Sequence, residues 1–172
     1  MATKPGKRQY SKIEYIAGYE ILGGLYGLII SLYYFSQVSG FSSPLVIIFL
    51  FIIGLYIHSI FSGILMFKNE TIGITQSLIN QFFQIISFSL LGLSYQYYAG
   101  LAFKLTWNLT ESSFWPYLNV GISSWEILFS TESTISYIGI NIVALTLFIY
   151  LIKQRKKIRN DKLLDQVLRM GS

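Results

Sequence analysis

Four stretches of the chain are apolar for long enough to predict helices that cross a lipid bilayer. They cover residues 13–35, 45–67, 75–98 and 135–152. A helix rises ~1.5 Å per residue and the hydrocarbon core is ~30 Å thick, so a span needs about 20 residues. The pattern therefore predicts an all-α membrane protein, a four-transmembrane-helix bundle whose spans are TM1 to TM4 in this order.

The third stretch differs from the others because its first half is rich in amides and hydroxyls. At helical spacing one face carries Ser77, Asn80, Gln81, Gln84 and Ser87. A polar stripe in contact with lipid would leave these groups without hydrogen-bond partners. We therefore expect this face to point at other helices and TM3 to be the packing centre.

Counting residues from the helix ends places further polar side chains at the depth of this stripe. The predicted intramembrane polar cluster consists of Glu20, His58, Asn80, Gln81 and Gln84. Two roles remain open for it. Its hydrogen bonds, worth about 0.6 kcal/mol each, fix the register of the helices, or Glu20 and His58 belong to a proton, cation or ligand path.

Small residues recur every four positions on the first two spans. The predicted helix-packing residues are Gly23, Gly27 and Ser31 on TM1, and Gly54 and Ser62 on TM2. Residues four apart share a face, and small side chains let a neighbouring backbone approach closely.

Residues 101–134 alternate between apolar and polar positions, which predicts two or three strands with a bend at Ser123-Ser124. The expected result is a short extracytoplasmic β-hairpin or sheet between TM3 and TM4. An isolated hairpin is marginally stable in water, so its apolar side either covers the helices or contacts another chain. The candidate partner surface comprises Phe103, Leu105, Trp107, Trp115 and Trp125.

Basic residues are concentrated near the two ends of the chain, where residues 1–12 form a basic arm and 153–172 a basic amphipathic tail. An excess of Lys and Arg marks the cytoplasmic side of a membrane protein. We expect both termini in the cytoplasm of a bacterium, the protein in the inner membrane, and the tails on anionic lipid headgroups. The net charge of +5 does not indicate nucleic-acid binding.

The chain has no cysteine and one histidine, which excludes disulfides, thiol nucleophiles and sites that need two histidines. Neither paired carboxylates nor a nucleophile with a base can be assembled from the span residues. We therefore expect no cofactor, no metal and no enzymatic activity.

The segments 19–25 (YEILGGL), 76–84 and 139–141 (GIN) resemble parts of small four-helix bacterial membrane proteins whose activity is unknown. The Glu-x-x-Gly-Gly part of the first segment is also similar to a helix of DoxX-like proteins. Neither resemblance supplies an activity, so neither assigns a site.

These observations predict a small polytopic membrane protein that acts as an accessory, assembly or self-associating module through helix packing and the outer hairpin. It would be a homo-oligomer or part of a larger membrane complex. The alternative is a homo-oligomeric channel or transporter whose polar path contains Glu20, His58 and the TM3 carboxamides.

Overall fold

A computed structural model describes residues 12–40, 42–110, 115–129 and 136–170, where four helices and four strands form. In chain order they are α1 Lys12–Ser36, α2 Ser43–Lys68, α3 Glu70–Ile85, β1 Ile86–Leu90, β2 Leu93–Asn108, β3 Tyr117–Phe129, β4 Tyr137–Asn141 and α4 Ile142–Met170. Residues 1–11 of the predicted basic arm, residues 111–114 and 130–134 of the predicted β-rich segment, and residues 171–172 of the predicted tail lie outside the described residues.

The prediction of a four-transmembrane-helix bundle is wrong. Within the described residues only α1 and α2 are long and apolar enough to cross a membrane, and the other elements include a four-stranded antiparallel sheet. Helix α3 has 16 residues, about 24 Å at ~1.5 Å per residue, which is shorter than the hydrocarbon core.

The predicted third span divides into α3 and two strands. After Ile85 the sequence alternates, with Ser87 and Ser89 on one side of β1. Leu91 and Gly92 then have φ values of 52° and 80°, and a two-residue turn with two positive φ angles joins antiparallel strands tightly. Period-two alternation therefore replaces the helical stripe, so Ser87 belongs to β1 and not to the polar face of α3.

The predicted fourth span is also divided, since residues 137–141 form β4 and the helix begins only at Ile142. The apolar part of α4, residues 142–152, is about 16 Å long before the basic segment begins at Lys153. This segment is too short to cross a bilayer alone. Helix α4 continues without interruption into the predicted tail, to Met170.

The strands lie in the order β1-β4-β2-β3, and β1 also pairs with the start of β2. The long strand β2 is bent at Ala99 and Gly100, where the register with β3 shifts and Gly100 has a φ of 95°. One end of β2 pairs with β1 and the other with β4. The sheet therefore curls over itself and has an inner and an outer face.

Two apolar clusters hold the helices and the sheet together. One joins α1, α2, α3 and α4 near Ala17, Ile74 and Leu151, and the other joins α2 to the sheet near Tyr56 and Tyr97. Tyr97 is buried beside Tyr56, with ring centroids 5.2 Å apart. The polar face of α3 lies between these two clusters.

Candidate functional site

A fully buried carboxylate, that of Glu20, lies where α1 meets α3. Glu20 is 0% exposed, and its Oε1 atom accepts hydrogen bonds from the Ser77 hydroxyl at 2.5 Å and from the Gln81 amide at 2.7 Å. Ser77 and Gln81 are one helical turn apart on α3, so they share a face and reach the same oxygen. Two of the predicted cluster residues, Glu20 and Gln81, are therefore in direct contact.

Asn80 extends this network to α2 and to the sheet. Its amide donates to the Ser59 hydroxyl at 3.1 Å, and that hydroxyl donates to the backbone oxygen of Glu20 at 3.0 Å. The Tyr97 hydroxyl donates to the backbone oxygen of Leu55 at 3.0 Å and lies 3.4 Å from Asn80 Oδ1. Helices α1, α2 and α3 and strand β2 therefore meet at one set of hydrogen bonds, which we call the Glu20 cluster: Glu20, Ser59, Ser77, Asn80, Gln81 and Tyr97.

Gln84 and His58, the other two residues of the predicted cluster, lie outside the Glu20 cluster. Gln84 is buried one turn further along α3, and its Oε1 atom accepts the backbone N–H of Ala99 at 2.8 Å. It therefore attaches the bend of β2 to α3. His58 is half-buried, and no hydrogen bond within the described residues joins its side chain to the Glu20 cluster. The neighbouring Ser59 occupies the position that depth alone suggested for His58, because consecutive helical residues point about 100° apart.

Near the cluster, three buried polar atoms have no hydrogen-bond partner among the described residues: Oε2 of Glu20, Oε1 of Gln81 and Nε2 of Gln84. A buried polar atom without a partner costs about 1–3 kcal/mol. Glu20 and Gln81 each leave one acceptor oxygen open among the described residues. The Glu20 carboxylate oxygen can bind a proton, and either oxygen can accept a hydrogen bond from water or coordinate a small cation.

The predicted helix-packing residues contact different partners. A methyl group on Gly23 would lie 2.4 Å from the backbone nitrogen of Gly100, and one on Gly27 would overlap the ring of Tyr56. Ser31 and Ser62 are buried and donate to the carbonyl four residues earlier on their own helices. A methyl group on Gly54 would have no atom of another described residue within 4 Å.

The close approach of α1 and α2 uses glycines that the four-residue spacing missed. A methyl group on Gly24 would lie 2.9 Å from the backbone oxygen of Tyr56, and one on Gly63 would lie 2.6 Å from that of Ala17. Gly23 and Gly24 are adjacent, so one contacts the sheet and the other contacts α2.

The five residues of the predicted partner surface do not share one environment. Trp115 is 85% exposed and Phe103 is also exposed, whereas Leu105 and Trp107 are half-buried. Trp125 packs against the cluster around Tyr56 and Tyr97. The change of alternation at Ser123 turns Trp125 towards the helices, because β2 is bent opposite this residue.

A second buried polar group lies on the inner face of the sheet. Lys104 is 6% exposed, donates to Oε1 of Gln96 and lies 5.7 Å from the ring centre of Tyr98. Burial lowers the pKa of Lys104 below its ordinary value of 10.5, and the carboxylate of Glu126 opposes this shift. The sequence carries a signal for it, since Lys104 is a basic residue away from both ends and on the polar side of an alternating strand.

Polar side chains continue along this inner face from Lys104 to β1 and β4. The Ser87 and Thr106 hydroxyls both lie close to Gly139, where a methyl group would be 2.5 Å and 3.2 Å from their oxygens. Both hydroxyls, and Nδ2 of Asn141, are buried and have no hydrogen-bond partner in the part of the chain that the structure describes. The inner face of the sheet is therefore polar while its outer face carries apolar residues.

No group of three or more His, Asp or Glu side chains that could hold a metal ion is found within ranges 12–40, 42–110, 115–129 and 136–170. The expectation that the protein takes no cofactor stays a prediction. No family model, no curated protein and no solved structure matches the chain.

Proposed function

We propose that the chain is an integral membrane protein that associates with a second copy of itself through β3 and the outer face of the sheet. The membrane setting rests on where the apolar surface lies. The most apolar windows of α1 and α2 are only 33% and 28% buried within the chain. The core helix of a water-soluble protein buries its apolar side chains, whereas a lipid-facing helix exposes them.

The orientation that fits this setting places the start of α1 and the end of α2 in the cytoplasm. With two spans these ends lie on the same side, and Lys12 and Lys68 are located there. The basic segment of α4 follows Leu151, which packs in one cluster with Ile13 and Met66 at those ends. The side of a membrane protein that is rich in Lys and Arg generally faces the cytoplasm. A bacterial inner membrane fits this arrangement.

The observation that carries self-association is an apolar surface next to an unpaired strand edge. Leu101 pairs with Ile122, and Phe103 pairs with Val120. We call this surface the hairpin face; it contains five exposed apolar side chains: Leu101, Phe103, Leu118, Val120 and Ile122. Side chains opposite each other on paired strands form one continuous patch.

Within the described residues, β3 pairs with β2 on one side and with no strand on the other. An unpaired strand edge is not tolerated in hydrocarbon, where no water satisfies its N–H and C=O groups. In water the same edge, with apolar neighbours, is a site for pairing with another chain. Both surroundings therefore favour a partner strand, and a second β3 supplies one with the same apolar pattern.

Mass measurement in lipid nanodiscs, combined with disulfide trapping, tests this proposal. The chain has no cysteine, so single cysteine substitutions at Leu118, Val120 and Ile122 report β3 contacts with no disulfide from a native cysteine. Strands that pair about a two-fold axis bring one residue opposite itself at ~4.5–5.5 Å between Cα atoms, within disulfide reach. Ile47→Cys, on an exposed position of α2, is the control.

We expect a dimeric mass and a covalent dimer from at least one β3 position, with none from Ile47→Cys. A monomeric mass together with no β3 disulfide would contradict self-association. A complex with a different membrane protein in place of the second copy would support the accessory role instead, and the same cysteines would then trap that protein.

One observation favours the second candidate function, a proton or cation path through the Glu20 cluster. Oε2 of Glu20 and Oε1 of Gln81 are buried acceptors with no partner within the described ranges, and a buried membrane carboxylate commonly marks such a path. In proteoliposomes, ion or proton flux that falls in the Glu20→Gln variant would support this function. Flux equal to that of empty liposomes would contradict it. His58→Ala shows whether the histidine takes part.

A further inference from the structure

A groove between α3 and the basic segment of α4 has the composition of an amphiphile-binding site. It has a volume of about 580 Å³, within the ~300–1,000 Å³ range of small-ligand sites. The buried side chains of Ile74 and Leu78 on α3 form its floor, and the half-buried Ile152 and Ile158 on α4 form its accessible apolar wall. We call it the α3–α4 groove.

Three cations line the same groove on α4: Arg155, Lys156 and Arg159. Arg155 and Arg159 are four residues apart, and Lys156 and Arg159 are three apart, so all three share one side of the helix. Their side chains are exposed, which leaves them free to contact a ligand from solvent. Arginine binds phosphate oxygens through paired, charge-assisted hydrogen bonds, and lysine adds a point charge.

The sequence places this charge directly after an apolar stretch. Residues 142–152 are apolar, and the basic segment starts at Lys153. In the orientation proposed above, this change from apolar to basic residues lies at the cytoplasmic ends of α1 and α2, at the depth of the lipid headgroups. A ligand there meets apolar walls on one side and three positive charges on the other.

We propose that the α3–α4 groove binds one anionic phospholipid, with its phosphate at Arg155, Lys156 and Arg159 and part of an acyl chain along Ile152 and Ile158. This inference rests on the membrane setting proposed above but not on self-association. General attraction of a basic tail to an anionic surface would involve every exposed cation of α4 equally. A lipid site in the groove instead requires the cations that line the groove and does not require their neighbours.

Helix α4 supplies a matched control for this distinction. Lys153 and Lys157 are exposed, lie on the same helix and are absent from the lining of the groove. The variant Arg155→Gln/Arg159→Gln and the variant Lys153→Gln/Lys157→Gln each remove two positive charges from nearly the same depth. If lipid binding came only from attraction to the membrane surface, it would weaken equally in the two double variants.

The experiment measures lipid retention by native mass spectrometry of the protein taken from nanodiscs that contain phosphatidylglycerol and phosphatidylcholine. We expect one phosphatidylglycerol per chain to remain bound in wild type and in the lysine variant. The arginine variant should lose at least about tenfold in affinity, because it loses two charge-assisted contacts to the phosphate. The mass of the protein assembly, read in the same spectra, should stay unchanged in all three proteins.

Two results would overturn the proposal. Equal loss of phosphatidylglycerol in both double variants would assign the binding to surface charge and not to the groove. Thermal stabilisation of wild type by inorganic phosphate equal to that by phosphatidylglycerol, with both effects absent in the arginine variant, would assign the groove to free phosphate. A monomeric mass of wild type that still retains one phosphatidylglycerol would contradict self-association and leave the lipid site supported.

Discussion

Gly23 of α1 and Gly100 of β2 lie in direct backbone contact, so that a methyl group on Gly23 would be 2.4 Å from the nitrogen of Gly100. The contact lies at the bend of β2, where Gly100 has a φ of 95°. A helix and a strand can approach this closely only if neither has a side chain between them. Gly23 therefore positions the sheet against α1 and does not take part in helix–helix packing.

We expect Gly23→Ala to destabilise the protein by about 1–3 kcal/mol, because the added methyl group overlaps backbone atoms that cannot move independently. Gly18→Ala is the control, since no atom of another described residue lies within 4 Å of the added carbon, and alanine favours a helix over glycine by about 1 kcal/mol. Unfolding in detergent by added SDS measures both. Equal stability of the two variants would contradict the direct contact between Gly23 of α1 and Gly100 of β2.

Gly54→Ala tests a residue that the sequence assigned to helix packing and the structure leaves in open space. We expect it to be neutral or to stabilise the protein by up to about 1 kcal/mol, through helix propensity alone. The same SDS titration measures it. A loss larger than that of Gly23→Ala would indicate that Gly54 packs against another chain.

Ser123 joins the bend of β2 to α1. Its buried hydroxyl accepts the N–H of Gly100 at 2.7 Å and donates to the backbone oxygen of Gly23 at 2.9 Å. We expect Ser123→Ala to cost about 1–3 kcal/mol, because it leaves the buried N–H of Gly100 unpaired. The adjacent Ser124→Ala removes a hydroxyl that makes neither bond, and it should change the unfolding free energy much less.

Two substitutions of Glu20 separate its hydrogen bonds from its charge. Glu20→Ala removes the acceptor shared by Ser77 and Gln81 and should cost about 2–4 kcal/mol. Glu20→Gln keeps an acceptor oxygen of the same reach, and we expect its stability within about 1 kcal/mol of wild type. Unfolding curves of both variants in detergent decide this. Equal losses would show that the carboxylate charge itself holds the cluster together.

Stability should depend on the protonation of Lys104 in alkaline solution. Because the pKa of Lys104 is lowered in the folded protein from 10.5, the unfolded chain binds more protons between the lowered pKa and 10.5. In that window the contribution of Lys104 to folding becomes more favourable as pH rises. The free energy of unfolding of wild type minus that of Lys104→Met should therefore increase with pH.

Unfolding measured at a series of pH values from neutral to 10.5 tests this, and Lys68→Met, at an exposed position of α2, reports the effect of net charge alone. A difference for Lys104→Met that stays constant or falls across this range would contradict burial of Lys104 in the sheet.

The sequence by itself determined which face of α3 is buried and that Glu20 lies at its depth. Ser77, Asn80, Gln81 and Gln84 are close along one helix, so their common direction follows from the helical repeat. Depth along α1 follows in the same way from the rise per residue. These inferences depend only on local geometry, and Glu20 does contact Ser77 and Gln81.

The tertiary structure decided which side of each helix faces its neighbours and which segments pair as strands. Ser59 and not His58 joins Asn80, because the facing side of α2 is set by its packing against α1 and α3. Residues 86–108 are apolar enough for a helix and alternating enough for strands, and pairing with β3 and β4 selects the strands. Burial of Lys104 follows from the curl of that sheet. Each of these outcomes depends on contacts between residues far apart in the chain, which local periodicity does not contain.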